Sequence, residues 1–496
     1  MTKILIVLLV LVTLMLGARQ SSAAHQAVKP RSLKLAPCDV QGIPGKSQCG
    51  NYEVYENRTL KKGRKIKLKI LVLPATGKER ASDPFVYFAG GPGSSATEDA
   101  LGVAGFVAKI REHRDLVFVD QRGTGGSNPL DCEFFNASDL QSYLGYFFPL
   151  EDVRKCRQQL EPKADLTLYT TSIAADDLDE VRAALGYEQL NLFGGSYGTR
   201  AALVYLRRHP SHVRTITLSG LSPTNQSMPR DFPQDTERAL QGILAECAAD
   251  EMCNRAFPNL RTEASSVLEA LLQSPAEAKV RNPNLSSATS SDKRITVRLS
   301  RDLAAEAIRY MLYNPPPASQ IPLFLHLAAQ GDFVPLAEAA IRFRRVIVAT
   351  GSNGMYLSVT CAEDLPRIKP GEGERNATNT FLGDYRLRQQ REACALWPRA
   401  IVRSDYGNPM KSSVPALILT GEWDPVTPPS NAQAVAKNLP NSLNLVVPHG
   451  AHGFGGLEGL ECIDRLLTEF VERGSAKELD SSCLKNIRRR GFILKR

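Results

Sequence analysis

Residues 190–208 read LNLFGGSYGTRAALVYLRR: a short apolar run, a serine with glycine on both sides, and a helix-forming stretch that stops before Pro210. A chain passes from a buried strand into a helix within so few residues only where the neighbouring backbone meets no side chain, which is the part Gly194, Gly195 and Gly198 play. The same alternation recurs elsewhere. Lys65 to Leu73 (KIKLKILVL) alternates with lysine and then runs on, as a half-buried strand that becomes fully buried does. Further short apolar runs lie at Phe85 to Ala89, Leu116 to Val119, Val213 to Leu218, Pro415 to Thr420 and Leu443 to Val447, and Leu460 to Arg473 reads as a helix. Buried strands separated by helix-length segments predict an α/β protein with a mostly parallel sheet and helices on both faces.

The rhythm lapses after about residue 222, where the chain becomes rich in Ala and Arg and helical in composition until about residue 411. The simplest account is a mainly helical cap, residues 223–411, inserted into a sheet domain made of residues 25–222 and 412–496. No internal repeat is visible. Lys485 to Arg496 is a basic, solvated tail.

Lys3 followed by the apolar run Ile4 to Leu16 and then by Ser21, Ser22, Ala23 and Ala24 predicts a secretory signal peptide over residues 1–24. The run is too short to cross about 30 Å of hydrocarbon as a helix, so no stable membrane anchor is expected. Export exposes all ten cysteines to oxidation, and an even count there implies disulfides. Pairing each cysteine with its neighbour in sequence closes short loops, although sequence leaves the connectivity open. Zinc is disfavoured, because no two cysteines have C-x-x-C spacing and His449 with His452 lack an evident third ligand. A formal charge of +9 spread over 496 residues does not argue for nucleic acid, and 43% hydrophobic with 23% charged residues excludes a disordered chain.

Gly194-Gly195-Ser196-Tyr197-Gly198 is a G-x-S-x-G match, weak alone but placed between strand and helix, where a nucleophilic serine can be held in a tight elbow. A serine hydroxyl needs a histidine to take its proton and a carboxylate to orient that histidine. In chain order, Asp424 follows the strand ending at Thr420 and His452 follows the strand ending at Val447, with Glu422 and His449 as rivals. The oxyanion needs two backbone N–H donors, assigned to Tyr197 and to Gly91 in the loop Ala89 to Gly93. Gly91, Gly93 and Ala96 also satisfy G-x-G-x-x-A, with Asp120 closing a later strand. That dinucleotide reading leaves Ser196, Asp424 and His452 unexplained, and no cofactor is expected.

These residues carry a resemblance. PFVYFAGGPGSSA (84–96), DLVFVDQRGTGGSNPLDC (115–132), LNLFGGSYGTRAALVYLRRHP (190–210), VTCAED (359–364), CALWP (394–398), GEWDPVTPP and GAHG resemble, in order, the prolyl and tripeptidyl aminopeptidase family of α/β-hydrolases, especially its secreted TAP-like members. The resemblance implies an α/β-hydrolase fold with Ser196 as nucleophile, Asp424 as acid and His452 as base. The family's prolyl members often begin the oxyanion loop with His, where this chain has Ala89, so a preference for N-terminal proline is not implied.

The function expected is a secreted or periplasmic aminopeptidase acting on peptides with a free N-terminus. Its ammonium-binding acids are sought in the cap at Glu363 and Asp364, whose segment a Cys361–Cys394 bridge would hold. A carboxylesterase or lactone hydrolase on the same machinery is the alternative, and a silent binding protein is disfavoured because no triad position is missing. Substrate preference and oligomeric state are not legible.

Overall fold

The computed structural model describes residues 33–136, 138–282 and 294–495; the signal-peptide segment 1–24 lies outside them. Eleven strands are described: β1 Ala36–Cys38, β2 Ser47–Tyr55, β3 Lys65–Leu73, β4 Phe85–Phe88, β5 Leu116–Val119, β6 Leu190–Gly195, β7 Val213–Ser219, β8 Ala276–Arg281, β9 Arg294–Leu299, β10 Ala416–Gly421 and β11 Ser442–Val447. Nine form one sheet in the order β1-β2-β3-β5-β4-β6-β7-β10-β11. From β5 to β11 every pairing is parallel, while β1, β2 and β3 join antiparallel at one side. This is the α/β-hydrolase fold.

Strand periodicity explains the two layers of helices. In β4, Val86 and Phe88 pack into one apolar cluster and Phe85 into another; in β5, Val117 and Val119 face the first cluster and Leu116 and Phe118 the second. Because successive side chains point to opposite faces, a run that is apolar throughout must be covered on both sides. Helices Thr171–Leu185 and Tyr197–Arg208 cover one face, and Ala100–Phe106, Ala108–His113 and Glu461–Arg473 cover the other.

The chain between β7 and β10 builds a third apolar cluster from helices such as Phe232–Ala249, Leu260–Gln273, Arg301–Met311 and Tyr385–Leu396. Its composition conceals one surprise, the antiparallel hairpin of β8 and β9. AEAKVR and RITVRL each alternate buried and exposed positions, so one face packs on the helices while the other carries the charges. This layer is stitched to the sheet loops: Ser352 N donates to Gly93 O at 2.9 Å and Gly453 N donates to Tyr313 O at 2.8 Å.

All ten cysteines are paired with their sequence neighbours: Cys38–Cys49, Cys132–Cys156, Cys247–Cys253, Cys361–Cys394 and Cys462–Cys483. Cys361–Cys394 links helices Asn353–Glu363 and Tyr385–Leu396 across 33 residues, a closure expected to contribute about 3–4 kcal/mol through the unfolded chain. Thiol titration of the denatured, unreduced protein is expected to find close to none. The double variant Cys361→Ala/Cys394→Ala is expected to lose about 3–4 kcal/mol in chemical denaturation.

Candidate active site

β6 ends in Gly195, and Ser196 opens the helix Tyr197–Arg208 with φ 55° and ψ −125°, a left-handed backbone that a side-chain-bearing residue adopts only under constraint. The constraint is steric. A Cβ on Gly194 would lie 2.4 Å from Gly198 O, and one on Gly198 would lie 2.0 Å from Phe88 O at the end of β4. Gly90 lies against Ser196, since a Cβ there would stand 3.4 Å from the Ser196 Cβ. Gly91, the next residue of the β4 loop, lines the same cavity as Ser196, and Tyr197 is the first helical residue, where backbone N–H groups are not consumed by the helix.

Asp424 and His452 come from the loops after β10 and β11. Asp424 is fully buried, and its Oδ1 accepts from the backbone N–H of Val426 (2.9 Å) and Thr427 (2.8 Å). Its Oδ2 accepts from Thr427 Oγ1 at 2.6 Å and from His452 Nδ1 at 2.9 Å. Burial pushes this carboxyl up, but the facing His452 and the Thr427 donors outweigh burial and hold it below its ordinary value. An ionised carboxylate only accepts, so Nδ1 carries the proton and Nε2 remains as the basic nitrogen. The His452 ring also packs edge-on against Tyr313, with centroids 5.1 Å apart.

Ser196, His452 and Gly91 line one cavity of about 300 Å³, together with Phe147, Tyr310, Tyr313, Tyr356, Thr427 and two arginines, Arg309 and Arg386. Sheet loops supply one wall and the helical insertion the other. The rivals are engaged elsewhere. His449 Nδ1 is bonded to Glu246 at 2.8 Å, and Glu422 accepts from the His449 backbone N–H at 2.9 Å. Asp120, which ended the dinucleotide fingerprint, is spent inside its own loops on Ser95, Thr97 and Gly126.

Glu363 and Asp364 are not brought to this cavity. They end a buried helix instead of standing on a surface loop. Glu363 accepts from Thr171 N and Thr171 Oγ1, both at 2.7 Å, and from Tyr406 OH. Asp364 faces Arg200 at 2.8 Å and Arg367 at 3.4 Å, and both Asp364 and Arg200 are 0% exposed. Glu363 thus packs the insertion onto the start of helix Thr171–Leu185 and Asp364 onto the helix that follows Ser196, which leaves neither available to a substrate ammonium. Sequence reasoning also missed Thr427, which bonds both Asp424 and His452 (3.1 Å), and the two cavity arginines. A threonine three residues after the acid gave a signal for the first; nothing marked the arginines, because charged residues on a helix read as solvated.

Comparison with known proteins agrees with this fold. The alpha/beta hydrolase fold family matches residues 83–301, which include Gly91 and Ser196, and the TAP-like protein family matches residues 379–483, which include Asp424 and His452. These two matches, in chain order, support the TAP-like α/β-hydrolase family for this chain. It is 27% identical to the serine protease Hip1 of Mycobacterium tuberculosis over 89% of this chain and 88% of that one. It is 25% identical to a tripeptidyl aminopeptidase of Streptomyces coelicolor, covering 89% and 84%. Carboxylesterase B of Mycobacterium tuberculosis is 24% identical, covering 85% and 83%. The protein is accordingly a serine hydrolase enzyme.

The burial of Asp364 gives a stability prediction. Asp364→Ala strands the buried Arg200 guanidinium and is expected to cost about 3–5 kcal/mol in chemical denaturation. A substrate-binding acid would instead change KM and leave stability nearly unaltered.

Proposed function

We propose that the protein is an exported serine peptidase whose triad is Ser196, His452 and Asp424 and which cleaves short peptides through an acyl-enzyme. The observation that carries this reading is that Ser196 and His452 share one cavity while His452 Nδ1 is held by the buried Asp424 at 2.9 Å. Ser196 Oγ attacks the scissile carbonyl as His452 Nε2 takes its proton. The oxyanion that forms accepts from the Tyr197 and Gly91 backbone N–H groups. His452 returns the proton to the departing amine. Water, deprotonated by the same nitrogen, then attacks the acyl-serine, and as the second tetrahedral species collapses His452 returns that proton to Ser196 Oγ and the acid is released.

A peptide substrate is supported by the relatives named serine protease and tripeptidyl aminopeptidase, and by charge placement. A second cleft, of about 740 Å³, carries Glu98, Asp131, Glu133 and Asp152 against the single cation Lys155 and shares Thr350, Gly351 and Ser352 with the Ser196 cavity. A free N-terminus has carboxylates to meet there, in place of Glu363 and Asp364. An esterase is the second reading, favoured by a Ser196 cavity whose lining carries no carboxylate among the described residues. Export is supported by the five disulfides, which persist in oxidising compartments, and by the apolar run near the N-terminus. Among the described residues no helix is long and apolar enough to cross a membrane.

A fluorophosphonate is expected to label Ser196, and Ser196→Ala to abolish labelling and lower turnover by at least about 10⁴-fold with little change in melting temperature. His452→Ala is expected to be nearly inactive while His449→Ala keeps most activity; the reverse result moves the base. Assays on free and N-blocked short peptides and on neutral esters separate the two readings. Preference for free-amine peptides supports the peptidase, and ester cleavage with inert peptides supports the esterase.

A further inference from the structure

Two arginines on the insertion's helices, Arg309 and Arg386, line the Ser196 cavity although they are only 2% and 4% exposed. Burying a guanidinium is costly unless its charge is opposed and its N–H groups are paired. Here the pairing is incomplete. Arg309 donates to Glu306 at 3.2 Å and to Tyr313 OH at 2.8 Å, and its Nε has no hydrogen-bond partner. Arg386 Nη2 reaches Tyr356 OH at 3.5 Å and its Nε lies 3.7 Å from Glu306, but neither Nε nor Nη1 has a hydrogen-bond partner.

The aromatic neighbours do not fill that gap. Phe147 stacks 3.7 Å from the Arg386 guanidinium carbon and Phe232 lies 4.3 Å from that of Arg309. Stacking occupies the face of a guanidinium and leaves its in-plane donors unused. The charge is also unbalanced. Arg344, also buried and 4.5 Å from the Phe147 ring, is a third cation interacting with the carboxylate of Glu306. Burial pushes Glu306 up, yet the arginines outweigh burial and keep it below its ordinary value, so it contributes one negative charge. Asp235, whose electrostatic neighbours include Arg309, is pushed up to about 8 by burial and by Asp231 and Asp424, so it is largely neutral at pH 7.

We propose that the Ser196 cavity binds a carboxylate through the guanidinium groups of Arg386 and Arg309 that line it, making the enzyme selective for substrates that bear one. This rests on the serine-hydrolase reading above and adds the substrate's charge. Paired N–H donors match the two oxygens of a carboxylate, which is the anion that acyl and peptide substrates themselves carry. Two sources present the same chemistry: the free C-terminus of a short peptide, and the distal acid of a dicarboxylic acyl group.

Each source has a matched pair. Ala-Ala-Ala is compared with Ala-Ala-Ala-amide, and the 4-nitrophenyl monoester of glutaric acid with 4-nitrophenyl pentanoate, in kcat/KM on the mature enzyme. Calorimetry of tri-alanine, its amide and glutarate on Ser196→Ala reads binding without turnover. The carboxylate member of one pair is expected to be favoured at least tenfold, and that pair identifies the source. Arg386→Gln and Arg309→Gln are expected to reduce that preference to near unity, with Arg386→Lys restoring part of it. The pairwise ratio separates this effect from a general loss of fold, which would lower both members together.

No preference in either pair, with tri-alanine and its amide binding equally to Ser196→Ala, overturns the proposal even if fluorophosphonate labels Ser196. A preference that survives both arginine variants overturns the assignment to these residues. Failure to label Ser196 while tri-alanine still binds better than its amide leaves the anion site standing and sinks the hydrolase mechanism.

Discussion

Everything around Ser196 depends on a backbone-to-backbone approach. The helix Tyr197–Arg208 passes over the end of β4 so closely that no side chain fits at Gly198, where a Cβ would meet Phe88 O at 2.0 Å. That approach turns the chain at Ser196 through a left-handed conformation and lifts the side chain out of the sheet into the cavity. It also brings the β4 loop beside the serine, with Gly90 against Ser196 and Gly91 lining the same cavity. The strain at one non-glycine residue is held by the parallel pairing of β4 with β6 and of β6 with β7 on either side, and by the buried flank of the helix itself.

The insertion is fixed to the same helix by charge as well as by apolar packing. Arg200 leaves that helix one turn after Ser196 and faces Asp364, while Tyr197 OH shares Thr171 Oγ1 with Glu363. Such pairs give little net stability once desolvation is counted, but breaking one strands a buried charge, so they define one docking geometry sharply. The cavity wall supplied by the insertion is thereby referenced to the turn that holds the serine.

Much of this was legible before any coordinates. The central strands announced themselves because they are buried on both faces and therefore apolar throughout: Leu116 to Val119 and the core of PALILT coincide with β5 and β10. Ser196, Asp424 and His452 stood out because each follows such a strand directly. What escaped lay where burial is one-sided or charged. β2 (SQCGNYEVY) carries polar residues near the sheet edge, and β8 and β9 alternate too briefly within helical composition to be separated from it. Glu363 and Asp364 were read as available acids because sequence cannot tell a carboxylate facing solvent from one consumed by Thr171, Tyr406 or Arg200. The arginines escaped for the same reason with the sign reversed.

Charge is distributed unequally on the two sides of one short wall. Thr350, Gly351 and Ser352 border both the acidic cleft and the arginine-bearing cavity, and Ser352 is pinned from each side: its N–H donates to Gly93 O and its hydroxyl donates to Asp131 at 2.5 Å. The guanidiniums on one side are buried, whereas the acids on the other are largely exposed and accompanied by Lys155, so the field across those three residues comes mainly from the arginines. On the proposed reading, a neutral ester feels little of it, whereas a peptide with a free carboxylate is drawn to the arginine side. On the proposed reading, orientation of a substrate comes jointly from acids of the sheet domain and arginines of the insertion, while the chemistry comes from the strand ends.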